Sequence, residues 1–385
     1  QIDYVLSGEG ETQLELLCQQ LQGKKESSEM ETSSRVTIND LNSLPVPNYI
    51  PYFKELAKEF PGQPFNPIVP LEFSRGCWWN RCTFCNLNLQ WHGYRSKSSE
   101  RMLEEVLQLM KTHACLDFTF CDNALPPIET DGFFATTQKW SEDVSFFAEI
   151  RSIKDPQKLK EYRKGGLTGV QVGIEALSNS LLRKMDKGTT VIENLAVMKH
   201  CVENSITLDG NLIVEYPGST AEEASATLEN IEYALPYHPL SAAAFFLGSG
   251  SAIEKHPDQH GISTLTRHKN NTLLFPNDIA TRMDMLIRDY RGDKTTQKKR
   301  WQQVRQRMQL WREFHEKRNG RSLPPLSYRD GISFIVIRQE RIDGAPLLHR
   351  LRGSSRRLYL YCTTIRSLEE IKGHFPEIPE KSILN

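Results

Sequence analysis

From about residue 69 the chain alternates short apolar runs with longer stretches whose apolar positions recur every three or four residues. The short runs predict strands and the longer stretches predict helices. Leu71 to Ser74 is the first strand, and Leu116 to Phe120, Val144 to Ile150, Leu167 to Ile174, Leu208 to Val214 and Leu240 to Phe246 follow as the second to sixth. Ser99 to Lys111 carries Met102, Leu103, Val106, Leu107, Leu109 and Met110 at helical spacing, and helices fill the other gaps. Ser219-Thr220-Ala221-Glu222 reads as a capping box that opens the helix after the fifth strand. Six βα units predict an α/β fold, a parallel sheet curled into a complete or partial (β/α)6 TIM-like barrel. An open doubly wound sheet is the alternative, and a G-x-G-x-x-G turn after the first strand would favour it. Cysteines stand there instead.

The flanks pattern differently. Ile2 to Leu6 is strand-like, Gly8-Glu9-Gly10-Glu11 is a turn, and Thr12 would cap a helix carrying Leu14, Leu16 and Leu17. A polar stretch centred on Lys24-Lys25-Glu26-Ser27-Ser28-Glu29 and a run of prolines from Pro45 to Pro70 read as a linker. Residues 281–320 are rich in Lys, Arg and Gln and predict a long surface helix. Beyond them Ser333 to Arg338 is strand-like, and Thr364 to Phe375 carries Ile365, Leu368 and Ile371 at helical spacing. The expected organisation is an N-terminal piece over 1–22, a linker over 23–65, the barrel over 66–280, a charged helical region over 281–331 and a small C-terminal α/β domain over 332–385. Gln1 in place of Met, and an end at Asn385 inside folded-looking sequence, lead us to expect a fragment truncated at both ends.

At 385 residues the chain is long enough to bury a core without disulfide staples. Its 48 Lys and Arg balance its 48 Asp and Glu, so no whole-surface field for nucleic acid is expected. No apolar run approaches the ~20 residues of a membrane span, and no signal peptide opens the chain. Of the eight cysteines, Cys77, Cys82 and Cys85 crowd one short segment while five are scattered. That distribution predicts a metal site in a reducing compartment, the cytoplasm.

The segment is Gly76-Cys77-Trp78-Trp79-Asn80-Arg81-Cys82-Thr83-Phe84-Cys85-Asn86. Three thiolates on one loop can grip three irons of a cubane cluster and leave the fourth iron open. A structural zinc site wants four ligands, and His92 would complete a Cys3His set. Plain buried cysteines are a third reading. Trp78 and Trp79 would either shield a cluster from solvent or pack on the barrel rim. His200 and Cys201 read as structural, and Cys121 is not expected to be a ligand.

These residues resemble the radical S-adenosylmethionine (SAM) superfamily, which places three cluster cysteines after the first barrel strand. The usual spacing there is C-x3-C-x2-C with an aromatic before the last cysteine, as Phe84 is; this chain has C-x4-C-x2-C. Gly169 to Ser178 resembles the superfamily's fourth-strand segment, and Leu182 to Thr190 the run after it. Asn211 to Thr220 is similar to the fifth-strand segment, with Ser219 where Glu is usual. The cysteine segment, Tyr94-Arg95-Ser96-Lys97-Ser98 and Asp122-Asn123 resemble the peptide-maturation branch, whose members carry a cobalamin domain ahead of the barrel. Residues 1–22 resemble the end of that doubly wound domain.

The resemblance implies a [4Fe–4S] cluster on Cys77, Cys82 and Cys85, SAM as co-substrate and cobalamin as a further cofactor. On the C-terminal ends of the strands, Asp122 and Asn123 would bond the methionine amino group or the substrate. Glu149 and Glu175 would accept from ribose hydroxyls, and Arg95 and Lys97 would balance the SAM carboxylate. The alternatives are a solvated face for Arg95 and Lys97 and an arginine partner for Glu149. An electron donor such as flavodoxin or ferredoxin is implied as a partner. Three functions compete: C-methylation of a ribosomally made peptide, radical chemistry on a small molecule, and a non-catalytic metal-binding module whose tail at 332–385 docks a partner as winged-helix modules do.

Overall fold

The computed structural model describes residues 3–24, 36–89, 91, 93–283, 285–321 and 323–384. Ile2, the stretch Lys25 to Glu29 of the expected linker, His92 and Asn385 lie outside the described residues. The six strands form in the expected places: β1 Val69–Leu71, β2 Asp117–Phe120, β3 Ser145–Ile150, β4 Leu167–Glu175, β5 Thr207–Val214 and β6 Ser241–Ala244. They make one parallel sheet in the order β1-β2-β3-β4-β5-β6, consistent with a partial barrel. The ends of two strands shift. β1 stops at Leu71, and Ser74–Arg75 pairs instead with Arg95–Ser96 in a short antiparallel ladder. β6 keeps only the small residues of the expected run.

The chain divides into two compact units, one drawn mainly from residues 1–80 and 85–149, the other mainly from 81–84, 150–163 and 168–385. In the first unit β1 pairs with β2 and β2 with β3. Helix α1, Ser99–His113, follows β1 with Ser98 as its N-cap and Met102, Val106 and Leu109 buried. Helix α2, Glu129–Thr137, follows β2. The core is aromatic: Phe118, Phe120, Phe133, Phe134 and Phe146 stack or meet edge to face at centroid separations of 5.1–6.0 Å. Rings of this size bury large areas and favour such offsets.

The same unit holds the N-terminal segment. Asp3 to Leu6 form no strand; Gly8 makes a single parallel bridge to Val36. The helix runs from Gly10 to Leu21 with Glu9 at its N-cap, so Thr12 lies within the helix rather than capping it. Ile50–Glu59, inside the expected linker, is a helix with a proline in its first turn, where a missing N–H is harmless.

In the second unit the alternating strand faces are aliphatic, with Val170, Val172, Ile174, Leu208, Leu212 and Val214 buried. Helices α3, Val191–Glu203, and α4, Ala221–Ala234, flank β5. Both open with capping boxes, Thr190 with Glu193 and Thr220 with Glu223. The box after β5 is thus one residue later than Ser219 and Glu222. The region read as one long surface helix is a strand, Ile287–Gly292, followed by helices Lys294–Arg300 and Gln302–Glu316. Trp301, Val304, Met308 and Trp311 make a buried stripe at spacings of three, four and three, which the abundant Lys and Arg of the outer face conceal in the sequence. The Trp301 indole donates to Ser219 Oγ at 2.9 Å and the Trp311 indole to the Tyr237 carbonyl at 3.2 Å.

The C-terminal part is a three-stranded antiparallel sheet, Leu326–Asp330, Phe334–Gln339 and Leu347–Arg352, followed by helices Gly353–Tyr361, Leu368–His374 and Glu380–Leu384. Its first strand precedes residue 332. Among the described residues no helix is long and apolar enough to cross a membrane.

Candidate cofactor site

The root of the cysteine loop is held by backbone and carboxylate bonds. Asp122, 2% exposed at the end of β2, accepts from the Phe73 amide at 3.0 Å and from the Ser74 hydroxyl. Burial pushes its carboxyl up to about 7, against the lowering effect of those hydrogen bonds. Gly76 sits at φ +83, and a Cβ there would lie 2.5 Å from the Gly93 carbonyl oxygen, so only glycine fits. The Cys77 amide donates to Asn88 Oδ1 at 2.8 Å, while Asn88 Nδ2 donates to Asn80 Oδ1 at 2.5 Å. Trp78 donates its indole N–H to the Leu125 carbonyl at 3.2 Å and meets Trp79 edge to face.

Residues 81–84 are anchored within the second unit. The Thr83 amide donates to the Met185 carbonyl at 3.0 Å, and the Thr83 carbonyl accepts from the Ile253 amide at 3.1 Å. The Thr83 and Tyr216 hydroxyls lie 2.8 Å apart, and burial pushes the Tyr216 phenol up to about 12. Arg81 pairs with Asp186 at 3.1 Å.

All eight cysteines stand outside disulfides, with Cys77, Cys82 and Cys85 half-buried. As donors they suit an iron–sulfur cluster. Among the described residues no group of three Cys, His, Asp or Glu side chains is arranged to hold a metal ion. Cys201 is buried and its thiol is pushed up to about 12 by that burial, in keeping with a structural residue. His200 is buried and contacts Glu203 at 2.9 Å.

The other expected site residues have different surroundings, each within its own unit. Asp122 braces the loop from within the core. Asn123 and Glu149 are half-buried at the ends of β2 and β3, and the Glu149 carbonyl accepts from the Leu125 amide at 3.0 Å. Glu175 ends β4 in the left-handed region at φ +59, where a register shift breaks the ladder. Asn194 on α3 fixes that turn, donating to the Ile174 and Ala176 carbonyls at 3.0 and 3.1 Å. The Glu175 carboxylate, 18% exposed, pairs with Lys187 at 3.1 Å. Glu215 ends β5 in the same left-handed way, at φ +64, and pairs with Arg305 at 2.8 Å.

Arg95 and Lys97 both stand in ion pairs with buried glutamates. Lys97 is 2% exposed and bonds both oxygens of the fully buried Glu105 at 2.9 Å. Arg95 pairs with Glu9 at 2.7 Å and donates to the Ile38 carbonyl. Each thereby neutralises a buried glutamate within the first unit. Sequence reasoning missed Asn88, whose only signal was its place just past the last cysteine, and the Glu9 partnership, for which no local signal exists.

The model of the radical SAM superfamily matches residues 71–231. An uncharacterized methyltransferase of Pyrococcus horikoshii is 28% identical over 256 residues, covering 60% of this chain and 54% of its own. An anaerobic magnesium-protoporphyrin IX monomethyl ester cyclase of Rubrivivax gelatinosus is 28% identical over 171 residues, covering 43% of this chain and 30% of its own. The chain thus spans about half, or less, of the length of these relatives. Among solved structures, the cobalamin-dependent SAM radical enzyme OxsB with aqua-cobalamin bound superposes with a TM-score of 0.56 at 16% identity, covering 81% of this chain and 50% of that one. The radical SAM methyltransferase TsrM of Kitasatospora setae, with tryptophan and a SAM analog bound, gives 0.52 at 17% identity, covering 69% and 56%. These two likenesses agree on the fold. The superfamily's motif segments lie in order along the strands just described, within the residues 71–231 that its model matches.

Proposed function

We propose that this chain is the core of a radical SAM enzyme that holds a [4Fe–4S] cluster on Cys77, Cys82 and Cys85 and methylates carbon in a ribosomally made peptide, with cobalamin as methyl carrier. The observation that carries the first part is the placement of three thiols on one loop, just past β1, inside the superfamily match. When bound, the cluster supplies the electron that cleaves SAM to methionine and a 5′-deoxyadenosyl radical. The protein's share is orientation. Asn88 and Gly76 fix the Cys77 main chain, Thr83 fixes the stretch between Cys82 and Cys85, and the half-buried Asn123, Glu149 and Glu175 offer hydrogen bonds to amino and hydroxyl groups. The methyl-transfer part is supported by the methyltransferase name of the Pyrococcus relative, and the peptide part by the resemblance of the cysteine, 94–98 and 122–123 segments to the peptide-maturation branch. The cyclase relative favours a second reading, radical chemistry on a small molecule. A cluster of this kind would draw its electron from a donor of the flavodoxin or ferredoxin kind, and its thiols suit the reducing cytoplasm.

Anaerobic reconstitution with iron and sulfide tests the proposal. About four irons per chain are expected, with 5′-deoxyadenosine released after dithionite and SAM are added. Loss of the cluster in Cys77→Ala, Cys82→Ala and Cys85→Ala variants supports the ligand set. Tight zinc with no iron uptake refutes it. Labelled methyl from SAM appearing in a co-encoded peptide supports methylation; 5′-deoxyadenosine with no methylated product favours the second reading.

A further inference from the structure

We infer that Glu9 is a positioning residue for the cysteine loop, acting through Arg75; this rests on the proposed cluster and extends it to the segment ahead of the barrel. Arg75 stands two residues before Cys77. Its guanidinium is held by Glu9 at 2.7 Å, Glu11 at 2.5 Å and Glu72 at 2.8 Å, and the Trp91 ring covers it at 5.2 Å. Glu9 in turn accepts from the Ile38 amide at 3.1 Å and pairs with Arg95. Arg95 is the ladder partner of Arg75, so one carboxylate ties both strands of the Ser74–Arg75/Arg95–Ser96 ladder together.

The pair is deeply enclosed, with side-chain exposures of 6% for Arg75 and 3% for Glu9. Burial pushes the Glu9 carboxyl up, but the bonds from Arg95, Arg75 and Ile38 outweigh it and hold the group below the usual glutamate range. A buried ion pair is seldom more stabilising than apolar residues of the same volume, because both charges are stripped of water. The fixed fork of arginine, in contrast, sets direction. Here the direction is passed on at once: Arg75 is clamped, Gly76 fits only against the Gly93 carbonyl, and the Cys77 amide is bonded by Asn88. Three consecutive residues are pinned up to the first thiol, and the pin originates 66 residues earlier, at the N-cap of helix Gly10–Leu21.

The test compares Glu9→Gln with Glu340→Gln, which removes an equally buried partner of Arg318 in the C-terminal part. Each reconstituted protein is mixed anaerobically with a ferrous chelator, and iron release is followed alongside the melting temperature of the apoprotein. Glu9→Gln should release iron about tenfold faster than the wild type, as loss of outer-shell support does at metal sites. Glu340→Gln should release it at the wild-type rate even where its melting temperature falls as far. Release from Glu9→Gln at the wild-type rate overturns the inference, and so does equal acceleration by Glu340→Gln. Glu11→Gln guards against a Glu9 variant that fails to fold, because Glu11 is 42% exposed. It should speed release about threefold, and a wild-type rate there overturns the inference. A wild-type chain that takes up no iron overturns both this and the proposed function; a normal cluster that Glu9→Gln leaves untouched overturns only the positioning role.

Discussion

Asp122 and Glu175 both stand at the C-terminal ends of strands, yet the fold uses them in opposite ways. Asp122 is sealed in an aromatic unit, accepts two hydrogen bonds from the loop root and has its carboxyl pushed up to about 7 by burial. Glu175 sits in an aliphatic unit, on a left-handed backbone, with a lysine partner and part of its surface in water. Position on a strand end is therefore not enough to fix a carboxylate's surroundings; the backbone that follows decides how deeply it is enclosed.

The largest expected effect comes from Asp122→Asn. A carboxyl titrating near 7 when folded and near 3.8 when unfolded keeps its proton in the folded state across that window. The folded state then binds more protons than the unfolded one, so stability is fully present below pH 4 and falls as pH rises to 7, by up to about 4 kcal/mol. The substituted amide keeps the shape of the carboxyl without its titrating proton, so denaturant unfolding of the variant between pH 4 and 7 should lack that slope. An unchanged slope would place Asp122 with the partly exposed carboxylates. Ser74→Ala comes next. It strips one bond from the buried carboxylate and should destabilise by about 1–3 kcal/mol, read as a fall in denaturant midpoint. The smallest effect on folding should come from Glu175→Gln, under about 1 kcal/mol because the pair is partly wet. If its proposed contact with SAM is real, the same variant should weaken SAM binding about tenfold by calorimetry. Wild-type affinity would leave Glu175 as a partner of Lys187 alone.

The strands were legible because their apolar runs are local and bounded by polar turns; β4 and β5 begin and end within a residue or two of the sequence reading. The thiol loop was legible for the same reason, its chemistry being written within one short segment. Helix Gln302–Glu316 was legible as a helix but not as a packed one, since its charged face outnumbers its stripe of Trp and Met. The fates of Arg95 and Lys97 were hidden. Glu105 lies 8 residues from Lys97, and Glu9 lies 86 residues from Arg95 and on the far side of a polar stretch. Burial creates such pairs by bringing distant charges together, and no periodicity announces it. The burial of Asp122 was hidden in the same way, because a two-residue ladder is too short to leave a pattern.

The left-handed turns at Glu175 and Glu215 carry a consequence for anyone selecting hardier versions of this protein. A side chain other than glycine at such a φ costs about 1 kcal/mol or more. Glu175→Gly and Glu215→Gly would relieve that cost, and a screen by heat alone would reward them. Each would also erase a carboxylate and its ion pair at a strand end. On the proposed contact of Glu175 with SAM, heat selection and ligand selection should diverge at that position, and a library sorted by both would show glycine enriched in the first pool and depleted in the second.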